Sequence, residues 1–271
     1  MGSGGFSPDQ ESRTTKPNPA RMYDYYLGGY HNFAIDREAA DAAIAIWPEL
    51  PLVMQANRAF LRRAVRFLVG QGIDQFLDIG SGIPTVGNVH EVAQQLNPAI
   101  RVVYVDSDPI AVAHSEFLVR ANPQVAVVQQ DAAQVDQLLG QPEVRALLDS
   151  GRPVAVLMCA VLHFILTDQE AESVSRAIID ALPPGSYVAI SHASAEGVPP
   201  ETHEQMMRLY DKTSSPMVGR TRAQITRLFG DLDLVEPGVV HVPLWRPEGP
   251  NDLFLAEPER GISVGGVGRK A

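Results

Sequence analysis

Two carboxylates and two glycines carry most of the chemistry that can be read from this chain. Phe76-Leu77-Asp78-Ile79-Gly80-Ser81-Gly82 reads as a buried strand running into a glycine turn, and 24 positions after Gly82 the acid Asp106 closes the apolar run Val102-Val103-Tyr104-Val105. Glycines let a ligand approach the backbone, and a carboxylate at the end of the next strand accepts hydrogen bonds from ribose hydroxyls. The spacing predicts a site for a nucleoside-containing cofactor.

The turn also discriminates between cofactors. A pyrophosphate fingerprint carries a third glycine three residues after the second, whereas this chain has Thr85 there, preceded by Pro84. Asp78, two residues before the first glycine, would repel a pyrophosphate but suits a ligand bearing an ammonium and a sulfonium. These residues favour S-adenosylmethionine (SAM). A nicotinamide-dependent oxidoreductase rests on the glycine turn alone.

Further motifs follow in order: Val125-Ala126-Val127-Val128-Gln129-Gln130-Asp131-Ala132, then Val154 through His163, then Leu182-Pro183-Pro184-Gly185-Ser186-Tyr187-Val188-Ala189-Ile190. With the glycine turn and Asp106, they resemble the class I SAM-dependent methyltransferases over about residues 58 to 257. A narrower resemblance lies in Pro19 through Phe33 and in Asp36-Arg37-Glu38-Ala39-Ala40. It is similar to the opening of an actinomycete family of SAM-dependent methyltransferases long catalogued as a domain of unknown function. The resemblance implies a fold and a cofactor and brings no substrate with it.

On this resemblance Gly80, Ser81 and Gly82 lie along the amino-acid half of SAM, with Asp78 beside its ammonium, and Asp106 takes the ribose hydroxyls in a charge-assisted contact. Asp131 accepts from the adenine amine while the Ala132 N–H reads the ring. Ser107 and Cys159 are counted as cofactor contacts by position. The blander readings are a turn or helix cap for Asp78, Asp106 and Asp131, a turn for Ser107 beside the cap residue Asp108, and packing for Cys159.

The second constellation is aromatic. Tyr23, Tyr25, Tyr26 and Tyr30 are four of the seven tyrosines and fall within eight residues, with Gly28-Gly29 supplying a bend and His31-Asn32-Phe33 following. Such a segment can cover a sulfonium or stack a planar substrate, or it can simply dock against the sheet. Tyr23 is expected near the cofactor, Tyr26 near the reacting atoms, and Arg21 either on a carboxylate of SAM or of an acidic substrate or in an exposed structural role. His163, just past the fourth strand, is the expected base for a neutral acceptor; a packed histidine is the alternative, and His192 is the weaker candidate. Asn57 and Arg58 begin the helix leading to the first strand and read as a solvated face. No pair of histidines with a carboxylate has a metal-binding spacing.

Strands and helices alternate between these motifs, which argues for a mostly parallel sheet with helices on both faces. Asp108-Pro109 has the form of a helix N-terminus, as does Thr167-Asp168-Gln169-Glu170, and Val53, Ala56, Phe60, Ala64 and Phe67 mark a long helix before the first strand. Leu232 to Val235 and Leu253 to Ala256 read as closing strands. The expected whole is an α/β, Rossmann-like, seven-stranded, mostly parallel sheet of the class I methyltransferase kind with an N-terminal helical cap. Its expected divisions are a mobile tail over 1–16, a cap or lid over 17–57, the SAM-binding domain over 58–257, and a loosely held glycine-rich tail over 258–271.

Composition narrows the partners. The net charge is −10, from 22 basic and 32 acidic residues, a balance that opposes binding to a phosphate backbone. A single cysteine excludes an internal disulfide, and there is neither a membrane-length apolar run nor an apolar signal core, so a cytoplasmic protein is expected. The expectation is a SAM-dependent methyltransferase acting on a small molecule; a SAM-binding regulatory protein is the alternative.

Overall fold

A computed structural model describes residues 15–84 and 87–271. Most of the tail expected over 1–16, and the Thr85 position of the glycine turn, therefore lie outside the described residues. The chain begins with three helices, α1 (Pro19–Tyr26), α2 (Ala34–Ile46) and α3 (Leu50–Gly70). Asn18 caps the first of them, its side-chain oxygen accepting the Ala20 N–H at 2.8 Å, and Pro19 follows at the first helical position.

Four parallel crossovers follow. They run β1 (Gln75–Ile79), α4 (Val89–Leu96), β2 (Arg101–Asp106), α5 (Pro109–Val119), β3 (Val125–Gln129), α6 (Val135–Gly140), α7 (Pro142–Leu147), β4 (Ala155–Cys159), α8 (Asp168–Ala181) and β5 (Tyr187–Ala193). Asp108 and Thr167 cap α5 and α8, accepting the N–H groups of Ile110 and Glu170. After α9 (Pro200–Tyr210) and α10 (Arg222–Arg227) come β6 (Asp233–Leu234), β7 (Val240–His241) and β8 (Ser263–Arg269). The strand order is β3-β2-β1-β4-β5-β8-β6, with β7 also pairing β8. The sheet thus has the seven expected strands and one further two-residue strand, and its last pairings are antiparallel.

Alternation along the strands sorts two cores. Phe76, Val102, Tyr104, Ala155 and Leu157 face α3 and α4, whereas Leu77, Val103, Val105, Val156 and Met158 face α6, α7 and α8. Asp78, Asp106 and Cys159 share the parity of the first set. They therefore stand on the α3 side at the carboxyl ends of β1, β2 and β4, where the strand order reverses and open α/β sheets form their crevice.

The C-terminus departs from expectation. Residues 253–256 are turns, and the strand that closes the sheet is β8, inside the segment expected to be loose; its residues 263–268 are buried and pair with β5 from Ala193↔Ser263 to Tyr187↔Arg269. Its glycines are there for close approach. A Cβ on Gly265 would sit 2.5 Å from the Ile190 carbonyl oxygen, and one on Gly268 would sit 2.8 Å from Leu232 Cβ. The cap is likewise built from two parts of the chain, since Met22, Tyr26, Ala40, Ala43 and Leu50 share a core with Tyr210 of α9.

Candidate functional site

The turn after β1 is held by β2. Gly80 and Ser81 donate their N–H groups to the Val105 carbonyl at 2.8 and 3.0 Å, and Gly82 donates to Asp106 Oδ2 at 2.7 Å. These amides are satisfied inside the protein, so the turn holds its shape through β2. The structure itself requires glycine at position 80: its φ is +71°, and a Cβ would meet Val161 Cγ2 at 2.4 Å. Gly82, at φ +67°, has open space where a Cβ would project, so it is the glycine that leaves room in the crevice.

Asp106 accepts the N–H of Asp108 at its other oxygen, at 2.9 Å. Burial raises its carboxyl above the usual range against the pull of these backbone donors. Two backbone hydrogen bonds leave lone pairs for further donors such as ribose hydroxyls. Asp78 is more unusual. It is 5% exposed, accepts no hydrogen bond among the described residues, and is pushed up to about 7 by burial, with Arg58 opposing and Asp106 adding to the shift. A buried carboxyl without a partner fits a ligand that brings its own cation, and the ammonium of SAM is such a group.

Tyr23 and Asn57 stand at the rim of this crevice. The Tyr23 hydroxyl donates to the Met54 carbonyl at 3.2 Å and accepts from Asn57 Nδ2 at 3.1 Å, which fixes it to α3. Burial raises the Tyr23 hydroxyl above its usual range, with Arg58 near enough to oppose the shift and Cys159 to add to it. Burial, with Asp78 nearby, pushes the Cys159 thiol up to about 12, so it fills space and is no nucleophile. At the end of β3, one oxygen of the exposed Asp131 accepts the Ala133 N–H at 2.9 Å and the other has no partner among the described residues. Ala132 packs against the core, and Ser107 is exposed at the turn that follows Asp106.

Three expected residues are placed elsewhere. Arg21 is 1% exposed, with Nε donating to Asp36 at 2.7 Å and Nη1 to Asp108 at 3.2 Å, so its charge is committed to binding the cap onto the end of β2 rather than to a ligand. Tyr26 is buried in the cap beside Tyr210, where burial raises its hydroxyl far above its usual range, which removes it from the reacting atoms. His163 is buried against His192 and Phe164; its Nδ1 faces the Ala193 N–H at 3.5 Å. Burial, then His192 and Arg220, hold His163 well below its usual range. With its lone pair turned to backbone it is a structural histidine, a poor proton acceptor for substrate. Arg220 joins the shelf beneath it, donating to His192 Nε2 at 2.9 Å, to Asp168 at 2.9 Å and to the carbonyls of Leu162 and Ile165.

Beside the crevice lies a cleft of ≈ 790 Å³, walled by the segment around Gly28–His31, by α3 at Arg58 and Arg62, by Pro84 and Asn88, and by Asn251–Leu253. Sequence reasoning marked the apolar face of α3 and set Arg58 aside. The signal that was there to read is the run Arg58, Arg62, Arg63 and Arg66 along one helix. Among the described residues no helix is long and apolar enough to cross a membrane, and no group of acids, histidines and cysteine could hold a metal ion.

The family described as S-adenosyl methyltransferase matches residues 7–271. A candidate methyltransferase from Thermobifida fusca YX is 41% identical, with a TM-score of 0.89 over 98% of this chain and 99% of that one. A DUF574 family protein from Streptomyces avermitilis MA-4680 is also 41% identical, with a TM-score of 0.90 over 95% of this chain and 99% of its own. An O-methyltransferase family protein from Burkholderia thailandensis, 13% identical with a TM-score of 0.51 over 97% of this chain and 67% of its own, shares the fold alone. No curated protein matches the sequence significantly. With its glycine turn, its sheet order and a family match over almost its whole length in agreement, the chain belongs to the S-adenosyl methyltransferases, enzymes that draw their methyl group from SAM.

Proposed function

We propose that this enzyme methylates a small molecule held in the ≈ 790 Å³ cleft beside the glycine turn. The cleft carries the reading. Its volume falls in the range of small-molecule sites, roughly 300 to 1,000 Å³, and the acidic charge balance of the chain disfavours a nucleic acid.

When bound, SAM supplies a methyl group on a sulfonium, which is already a good leaving group. The protein's task is then mostly to hold and align. Asp78 takes the ammonium, Asp106 the ribose hydroxyls, and Asp131 with the Ala132 backbone the adenine edge. Arg58, beside Asp78, supplies the positive charge for the cofactor carboxylate, the part first expected of Arg21. Tyr23, fixed by Met54 and Asn57, borders the cofactor, and the Tyr30 segment covers the cleft. Orientation of this kind can supply a large share of the rate without a general base. That fits an arrangement in which His163 is turned inward.

Mass spectrometry of a metabolite extract from the host, incubated with the protein and methyl-deuterated SAM, tests this directly. One labelled small molecule is the expected result. Saturable SAM binding with label only in macromolecules, or in nothing, would overturn it.

A further inference from the structure

The acids that face the cleft already hold donors. Asp24 Oδ2 accepts from the His31 N–H and from Asn32 Nδ2, both at 2.8 Å, and its Oδ1 is sealed under Gly29. Glu91 accepts the N–H groups of Gly87 and Asn88 at 2.9 Å. Glu248 pairs with Arg66, while Asp252 accepts the Glu248 N–H at 2.8 Å and lies 3.8 Å from Arg63.

Arg62 is the exception. Its side chain is half-buried with the stem against Gly87, and among the described residues its guanidinium makes neither a hydrogen bond nor an ion pair. Arg58, one helical turn earlier, reaches the Gly87 carbonyl at 3.5 Å and Asn88 Oδ1 at 3.4 Å, and among the described residues its buried Nε has no partner. Burial, then the charges of Arg58 and Arg66, lower the Arg62 pKa, with Glu248 and Tyr23 opposing them, so its positive neighbours outweigh the negative ones. Tyr30, which is 92% exposed, and the exposed Leu118 and Leu253 line the same cleft with apolar surface.

We propose that Arg62 binds an oxyanion, a carboxylate or phosphate, carried by the methyl acceptor. The acceptor is thus an acid with an apolar body, its charge on Arg62 and its body against Tyr30, Leu118 and Leu253. A guanidinium is the side chain suited to such a group, because its planar fork meets two oxygens at once. This rests on the cleft being the acceptor site and adds the class of molecule that enters it.

Calorimetric titration of the full chain, saturated with S-adenosylhomocysteine, uses inorganic phosphate and benzoate as probes. Saturable binding of at least one probe is expected, weakened about tenfold or more in Arg62→Gln, with partial recovery in Arg62→Lys and S-adenosylhomocysteine affinity unchanged. A preference for phosphate would make the acceptor a phosphate ester, and a preference for benzoate a carboxylic acid. Should Arg62→Gln fail to fold, Ala59→Glu, which sets an acid on the same wall of the cleft, is expected to abolish probe binding. The proposal is overturned if neither probe binds, or if the variants bind as the wild type does. It is also overturned if S-adenosylhomocysteine affinity falls in step, which would assign Arg62 to the cofactor. Failure of S-adenosylhomocysteine to bind the wild type is a separate result and would sink the functional reading itself.

Discussion

Asp106 Oδ2 accepts the Gly82 N–H at 2.7 Å, so the residue assigned to the ribose also closes the glycine turn. One carboxylate thereby joins the ends of β1 and β2, and the Gly82 and Asp108 donors leave it lone pairs for a ligand. Asp106→Asn keeps an acceptor for Gly82 and loses the charge, and is expected to weaken SAM binding by about 1 to 3 kcal/mol with little loss of stability. Asp106→Ala should lose both affinity and thermal stability. Calorimetry beside thermal melts separates the two, and equal affinities in wild type and Asp106→Asn would remove the charge from the binding account.

Asp78 makes the cofactor site sensitive to pH. Burial above all raises its carboxyl from 3.8 to about 7. A carboxyl that holds its proton more tightly folded than unfolded contributes stability fully below the unfolded value, and loses it as pH rises through about 7. Without cofactor, Asp78→Asn should therefore gain stability relative to the wild type as pH rises from about 3.8 to about 7, and keep that margin above it. SAM should bind the wild type more tightly as pH rises from about 6 to 8, because its ammonium favours the ionised carboxyl, and Asp78→Asn should bind weakly with a flat profile. Parallel pH profiles for the two proteins would exclude Asp78 as the ammonium's partner.

Local signals were legible in the sequence and distant ones were not. Asp108 and Thr167 cap their helices through residues two or three positions away, and the glycine turn and Asp106 lie on neighbouring strands, so short patterns locate them. Arg21 meets Asp108 across 87 positions, and Tyr26 meets Tyr210 across the whole domain, contacts that no local pattern encodes. Glycines misled in β8, since Gly265 and Gly268 resemble a flexible tail in one dimension and are forced by crowding in three. The same crowding explains Gly80, whose neighbour Val161 follows β4. Arg62 gives no signal of its own in the sequence because its meaning depends on having no partner among the described residues, a property that only the fold displays.

The Arg21 cluster should behave as a buried anchor. Its guanidinium donates to Asp36, Asp108 and the Lys16 carbonyl, and Asp36 also accepts the Asn18 and Phe33 N–H groups at 2.9 Å. Arg21→Met leaves two buried carboxylates without their cation and is expected to cost about 3 to 5 kcal/mol of unfolding free energy by denaturant titration. If Arg21 instead served a ligand, the variant would lose SAM or substrate affinity while melting like the wild type.

Gly80 and Val161 form a pair whose coupling can be measured. Gly80→Ala meets Val161 Cγ2 at 2.4 Å and forces a side chain into a positive-φ backbone, the latter alone costing about 1 to 2 kcal/mol. Val161→Ala removes Cγ2 but keeps the Val161 Cβ, which a Cβ on Gly80 would meet at 2.6 Å, so it relieves part of the clash and none of the backbone strain. The double variant should therefore recover a fraction of the steric loss and none of the loss due to φ, giving a non-zero interaction energy in a double-mutant cycle on thermal stability. Strict additivity would mean that Val161 does not press on the turn, and Gly80 would then be required for its φ alone.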